Sequence, residues 1–214
     1  MRKTNLAIDF QWSKGRAYEV VVSRGSRSKD DPLSASHVRE AMIRQKGKAC
    51  DRVRPLEVHN NLYLEFVHLD GSAAACAAFA AKWGLLKTRY GDAPEPLAFW
   101  RAEIKRMKDT LEGLRRAFEE KHPIAMRGAH IVPIDVKLIP GQPDGRPSLA
   151  LEPQTLIDAM RLQLAQSIAG GNALHTCEQC GQPFESGATA KRIMAKFCSD
   201  ECRKRFHYEH RRVK

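Results

Sequence analysis

Long apolar runs are missing from this chain. The longest, residues 73–81, is nine residues of mostly alanine, against the roughly 20 that a membrane-spanning helix needs, so no span is expected. Asp9 interrupts the place near the start where a secretory apolar core would lie, and no leader is expected either. Acidic residues are short: 25 Asp and Glu stand against 36 Lys and Arg, a formal charge of +11. That imbalance argues for an acidic partner, nucleic acid first and an anionic membrane surface next. Catalytic signatures are also absent. There is no Gly-rich phosphate loop, no His-Glu-x-x-His and no spaced carboxylate pair. His37, His59, His68, His122 and His130 are scattered and read as surface or core histidines. The chain is therefore expected not to be an enzyme. Cysteine is sparse, six in 214 residues, and Cys50 and Cys76 stand alone, which suits a reducing, cytoplasmic setting. No internal repeat is visible.

The other four cysteines are not scattered. Cys177-Glu-Gln-Cys180 and Cys198-Ser-Asp-Glu-Cys202 are a C-x2-C and a C-x3-C pair with seventeen residues between them. A structural Zn²⁺ site takes four soft donors in a tetrahedron, and two short-spaced pairs supply them with one loop between. Gly181 follows the first pair, where a knuckle has to close backbone N–H groups on sulfur and a Cβ would crowd them. Ser199 is placed to cap a helix whose first turn holds Asp200, Glu201 and Cys202. The positive end of that helix would favour thiolates. A knuckle for two ligands and a helix start for the other two is the plan of a treble-clef finger. Phe184, Phe197 and Phe206 are expected to form its small core. Four sulfur ligands leave no open metal position, so the zinc is expected to be structural.

The helix after Cys202 is basic. From residue 191 to residue 214 nine Lys and Arg face three Asp and Glu. At about 100° per residue, Lys204, His207, Tyr208 and Arg211 fall opposite the ligand side, with Arg203 and Arg212 on the borders. Cations beside an aromatic ring and an imidazole are what a phosphate- and base-contacting surface uses.

These residues resemble known families. Cys-x2-Cys-Gly-x2-Phe, followed by Phe197-Cys198-Ser199 and Cys202, is similar to the FCS-type fingers and to the small bacterial zinc proteins that inhibit DNA gyrase. In general layout, a mixed N-terminal region ending in a zinc knuckle, the chain also resembles bacterial ABATE/CGNR-type transcription regulators. The segment from the 62–69 run through Gly84-Leu85-Leu86 resembles their N-terminal domain. Their Cys-Gly-Asn-Arg signature is absent here, and Cys202-Arg-Lys-Arg stands in its place. The motif-level match covers about forty residues. It implies a protein that binds nucleic acid or other proteins, with no catalytic residues to carry over.

The rest of the chain reads as an α+β domain. Residues 5–12 and 16–23 alternate as strands and are expected to pair as a hairpin across Ser13-Lys14-Gly15. Residues 24–31 are polar and loop-like. A short helix is expected over 36–46, turning Val38, Met42 and Ile43 inward. Residues 62–69 form a strand or the entry to a helix. Ser72 is placed to cap an Ala-rich helix that ends at Lys82-Trp83-Gly84. Leu97, Trp100, Ile104, Met107, Leu111, Leu114 and Phe118 recur at alternating spacings of 3 and 4, one stripe of a six-turn helix that His122-Pro123 ends. The stripe is either core or a homodimer seam. Residues 130–140 and 147–152 read as strands joined by a turn over 141–146. A second helix begins near Pro153, carries Leu156, Ile157, Met160, Leu164 and Ile168, and stops at Gly170-Gly171-Asn172.

The expected organisation is a mixed domain over 1–169, a flexible linker over 170–176 and a finger over 177–214. Function follows from charge, finger and basic helix together: a zinc-finger nucleic-acid-binding protein, DNA before RNA, acting as a bacterial transcription regulator. A protein-interaction module, serving as inhibitor or adaptor through its finger, is the alternative. A metal-sensing or metal-handling protein is the third reading.

Overall fold

The computed structural model describes residues 7–24, 39–59, 61–88, 93–119, 134–139, 148–187 and 195–211. The expected loop at 25–31, the helix stop at His122-Pro123, the turn at 141–146 and Arg212 lie outside these residues. Within them the architecture is α+β. In chain order the elements are β1 (Ala7–Ile8), β2 (Trp12–Gly15), β3 (Tyr18–Arg24), β4 (Arg39–Gln45), β5 (Cys50–Val53), α1 (Pro55–Val58), α2 (Leu62–Val67), α3 (Ala73–Trp83), β6 (Glu95–Pro96), α4 (Leu97–Glu119), β7 (Ile134–Ile139), β8 (Ser148–Pro153), α5 (Leu156–Ala169), β9 (Ala173–Thr176), β10 (Pro183–Ser186) and α6 (Asp200–Arg211). No described helix is long and apolar enough to cross a membrane.

Two expectations for the N-terminal third are corrected together. The hairpin across residues 13–15 does not form. β2 pairs antiparallel with β5, Trp12 opposite Val53, and β3 pairs antiparallel with β4, Tyr18 opposite Gln45. Residues 12–24 thus form one arm of a long ribbon, and residues 39–53 form the other. The helix expected over 36–46 is, from residue 39 on, strand β4. Its burial alternates, with Ile43 and Gln45 inside and Arg44 and Lys46 outside. The β-branched run Val20-Val21-Val22 needs a partner strand, and pairing across the sheet overrides the weak helical pattern of Arg39–Gln45. β6 adds to the other edge of β4, giving the order β3-β4-β6. A second sheet has the order β1-β8-β7, with β1 parallel and β7 antiparallel to β8. The strands expected around residues 130–140 and 147–152 are therefore present and paired.

The helical layer holds the core. Residues 62–67 are helical, which settles the open reading of that run. Ser72 caps α3, its Oγ accepting the Ala75 N–H at 3.1 Å. Gly84 ends the helix at φ +101°, and a Cβ there would come within 2.8 Å of the Trp12 indole, so both conformation and space require glycine. The α4 stripe is buried within the chain: Leu97, Trp100, Ile104, Met107, Leu111 and Leu114 are each 5% exposed or less. That makes it core and leaves none of these six for a dimer seam. Phe66, Phe79 and Trp100 pack as a tilted aromatic trio with centroids 5.4–6.3 Å apart. α5 begins later than expected: Thr155, not the Pro153 turn, caps it, its hydroxyl accepting the Asp158 N–H. Arg161 of α5 reaches buried Glu103 of α4 at 2.6 Å and ties the two helices together. The buried Glu95 side chain accepts N–H groups from Leu86, Lys87 and Thr88, so both its oxygens are hydrogen-bonded inside the fold.

Candidate metal centre

α5 leads directly into the cysteine region. Gly170 and Gly171 turn the chain, with the Gly171 N–H on the Ile168 carbonyl and the Asn172 N–H on the Ser167 carbonyl. Residues 173–176 then form β9, which pairs antiparallel with β10, Ala173 opposite Ser186 and Thr176 opposite Pro183. The flexible linker expected over 170–176 is thus a turn and a strand. Ala-Leu-His-Thr alternates, and Leu174 joins the hydrophobic core of the body. His68 Nε2 also donates to the Pro183 carbonyl at 3.1 Å, a second tie between body and hairpin.

The first ligand pair sits in the loop of this hairpin. The Cys177 N–H bonds the Gln182 carbonyl at 3.0 Å, and the Gly181 N–H bonds the Cys177 carbonyl at 2.9 Å. Gly181 has φ +69°, with nothing within 4 Å of where a Cβ would stand. Glycine is needed here for its backbone angle rather than to clear space, a correction to the crowding argument. The second pair sits where α6 begins: Ser199 Oγ accepts the Cys202 N–H at 3.1 Å, as a capping serine should. The two halves are knit by the Glu178 N–H on the Lys196 carbonyl at 3.0 Å and by Gln179 Nε2 on Glu209 Oε2 at 2.9 Å.

These elements bring Cys177, Cys180, Cys198 and Cys202 together, with all four sulfurs within 4.8 Å of one another. Cys180 and Cys198 Sγ are 3.6 Å apart, and Cys198 and Cys202 Sγ are 3.5 Å apart. A tetrahedron of sulfurs about 2.3 Å from a central ion has edges of about 3.8 Å. The donor set therefore fits a four-coordinate metal ion. Electrostatics agree. Burial opposes charge on Cys177, but backbone N–H groups of Cys198, Cys180 and Gln179 outweigh it and draw the thiol down to about 6. Burial raises Cys180, and burial with the neighbouring thiols pushes Cys198 up to about 12. A thiolate is favoured at Cys177 while Cys180 and Cys198 resist ionising beside it, and a divalent cation would supply the missing charge.

Phe197 and Phe206 pack at 5.1 Å beside the cluster, as expected, while Phe184 is buried against the His175 ring at 5.6 Å. Sequence reasoning missed His210, which stacks on Phe206 at 4.0 Å and 22° and extends this thin core. Its spacing of four from Phe206 was the available signal. On the far face of α6, Arg203, Lys204, His207 and Tyr208 are exposed and line one shallow concavity of about 420 Å³. Arg203 has Asp200 at 3.2 Å, whereas no described acidic residue pairs with Lys204. Arg211 lies in the last turn of the same helix. Compared with known protein families, curated proteins and solved structures, the chain matches none.

Proposed function

We propose that the chain is a zinc-finger nucleic-acid-binding protein of the treble-clef kind, a DNA-binding transcription regulator that reads its target with α6. The observation that carries this reading is the common concavity formed by Arg203, Lys204, His207 and Tyr208. Zinc, when bound, supplies a structural cross-link between the β9–β10 loop and the start of α6 and takes no part in chemistry. Arg203 and Lys204 provide N–H donors for phosphate oxygens, and the Tyr208 ring, 59% exposed, offers a platform on which a base can stack. His207 stands between them with a ring nitrogen for a base edge or a phosphate. The net charge of +11 adds a general attraction for polyanions. The reading includes no catalytic step.

Fluorescence anisotropy with the zinc-loaded full chain on labelled duplex DNA, single-stranded DNA and RNA tests it. Affinity is expected to fall with salt by about 0.9 log unit per log salt for each duplex phosphate neutralised. Changing Arg203 and Lys204 together to Gln should lower that slope by about two and weaken all sequences alike. Tyr208→Ala should instead alter preference among sequences or strand forms. Binding that is unchanged in the double variant removes α6 from recognition. Absence of binding to any of the three nucleic acids, with a protein retained from a gentle pull-down, moves the finger to a protein-interaction role.

A further inference from the structure

The hairpin that carries the first cysteine pair does not lie flush against α4. Between them is a cavity of about 310 Å³, walled on one side by Lys108, Leu111 and Arg115 and on the other by Leu174, His175 and Pro183. Cavities that bury small ligands run from about 300 to 1,000 Å³ and lie preferentially between structural units, with mostly apolar walls and a few convergent polar groups. This one follows that pattern. Leu111 and Leu174 are core residues of the body, and together with Pro183 they make the floor apolar.

The Lys, Arg and Glu side chains of the lining leave one net positive charge. Glu112 also lines the cavity, but its carboxylate is held by Arg115 and Arg116 at 2.8–2.9 Å. Those guanidinium groups keep it ionised down to about 2. Arg115 therefore offsets Glu112, and the charge left over is that of Lys108. Its ammonium gives one N–H to the Leu69 carbonyl at 3.1 Å and has two others. His175 adds a further polar atom: Nε2 is out of contact with solvent and has no hydrogen-bond partner. A buried ring nitrogen in that state is unusual in a folded protein.

We propose that this seam binds a small organic carboxylate with an aromatic or aliphatic body, its anionic end on Lys108 and its apolar part against Leu111, Leu174 and Pro183. A single surplus cation suits a monoanion. A phosphate dianion would bring an uncompensated charge against apolar walls. The site is separate from the exposed face of α6, so it stands or falls independently of nucleic-acid binding.

The test is an amide-resolved NMR titration of the zinc-loaded full chain with benzoate, octanoate, benzamide and inorganic phosphate. Benzoate or octanoate is expected to shift the Leu111, Leu174 and His175 amides along one saturating curve. Benzamide and phosphate should bind at least about tenfold more weakly, a difference of about 1.4 kcal/mol. Lys108→Gln should weaken the carboxylate about tenfold, and Arg115→Gln, which leaves Glu112 less offset and so repels an anion, provides a second test should the first disturb the Leu69 contact. Folding of each variant is read from its own amide spectrum. No saturating shift with either carboxylate, equal binding of inorganic phosphate, or curves unchanged in both folded variants would overturn the proposal.

Discussion

Two regions of this chain solve the same problem by different means. The body closes around Trp12, Tyr63, Phe66, Trp100, Leu156 and Met160, all 1% exposed or less, with helices α2 to α5 beside three small sheets. Among the described residues after β9, Phe184 is the one buried aromatic, with Phe197 and Phe206 half-buried at the edge of the finger. Backbone ordering costs about 1–2 kcal/mol per residue in either place. The body offsets it with apolar burial, at about 25 cal/mol for each Å² removed from water. A unit of some forty residues cannot bury enough, and metal ligation commonly takes over at that size. The apolar core is one answer to that entropy cost, and the sulfur cluster, once loaded with a metal ion, would be a second that fails under different treatments.

The largest expected effect breaks the finger alone. One zinc per chain is expected by elemental analysis. Cys180→Ser, or removal of the ion with a strong chelator, should melt α6, because zinc in such sites supplies about 10–16 kcal/mol of folding free energy at neutral pH. Far-ultraviolet circular dichroism should show loss of one helix, while the body's thermal transition remains at a lower midpoint because β9 loses its partner. Metal-free protein with α6 intact would dissolve the comparison.

A change in the body should do the reverse. Ile104→Ala removes most of a side chain that is 4% exposed and should destabilise the domain by about 2–5 kcal/mol in urea denaturation. Zinc stoichiometry and sedimentation should not change, since the α4 stripe faces the core. A shift in mass toward a smaller species would restore the dimer-seam reading.

The smallest effect lies at the junction. Glu185 of β10 is 4% exposed, accepts a short hydrogen bond from the Ser167 hydroxyl, and has its acid pushed up to about 7 by burial. Its folded value is above the unfolded one, so its contribution is full below about pH 4.5 and is lost as pH rises through about 7. Stability measured by urea titration should fall over that window by about 1–3 kcal/mol from this group. Glu185→Gln should flatten the slope, whereas an unchanged profile would assign the pH dependence to other groups.

How much of this could be read beforehand depended on the distance over which each feature is decided. Cys177 to Cys202 were legible because metal coordination fixes ligand type and spacing locally. The α4 stripe was legible because seven apolar residues at one period admit a single helical face. The Ser72 cap was legible for the same local reason. β4 was not: Arg39–Gln45 carries no strong pattern of its own, and its state is set by pairing with Tyr18–Arg24. The false hairpin at 13–15 failed in the same way, since β2 finds its partner at residues 50–53. In the site, the ligand set and the half-exposed Phe197–Phe206 pair could be foreseen. The seam with α4 could not, because Gly170-Gly171 reads as a tether until Leu174 is seen to have a socket.

That socket has a consequence for inheritance. Leu174 is a residue of the finger's hairpin and of the body's core at once. A finger cut out after residue 176 would leave β9 in the body without its partner β10, and one cut out after residue 172 would carry a bare leucine and leave a void behind. Exchange of this finger between chains therefore has to bring along the α4 surface that receives it. The same arrangement fixes the bearing of the β9–β10 hairpin, and with it the first cysteine pair, relative to α4 before any ion arrives. Part of the ordering that ligation of the ion would demand has therefore already been given up in folding the body.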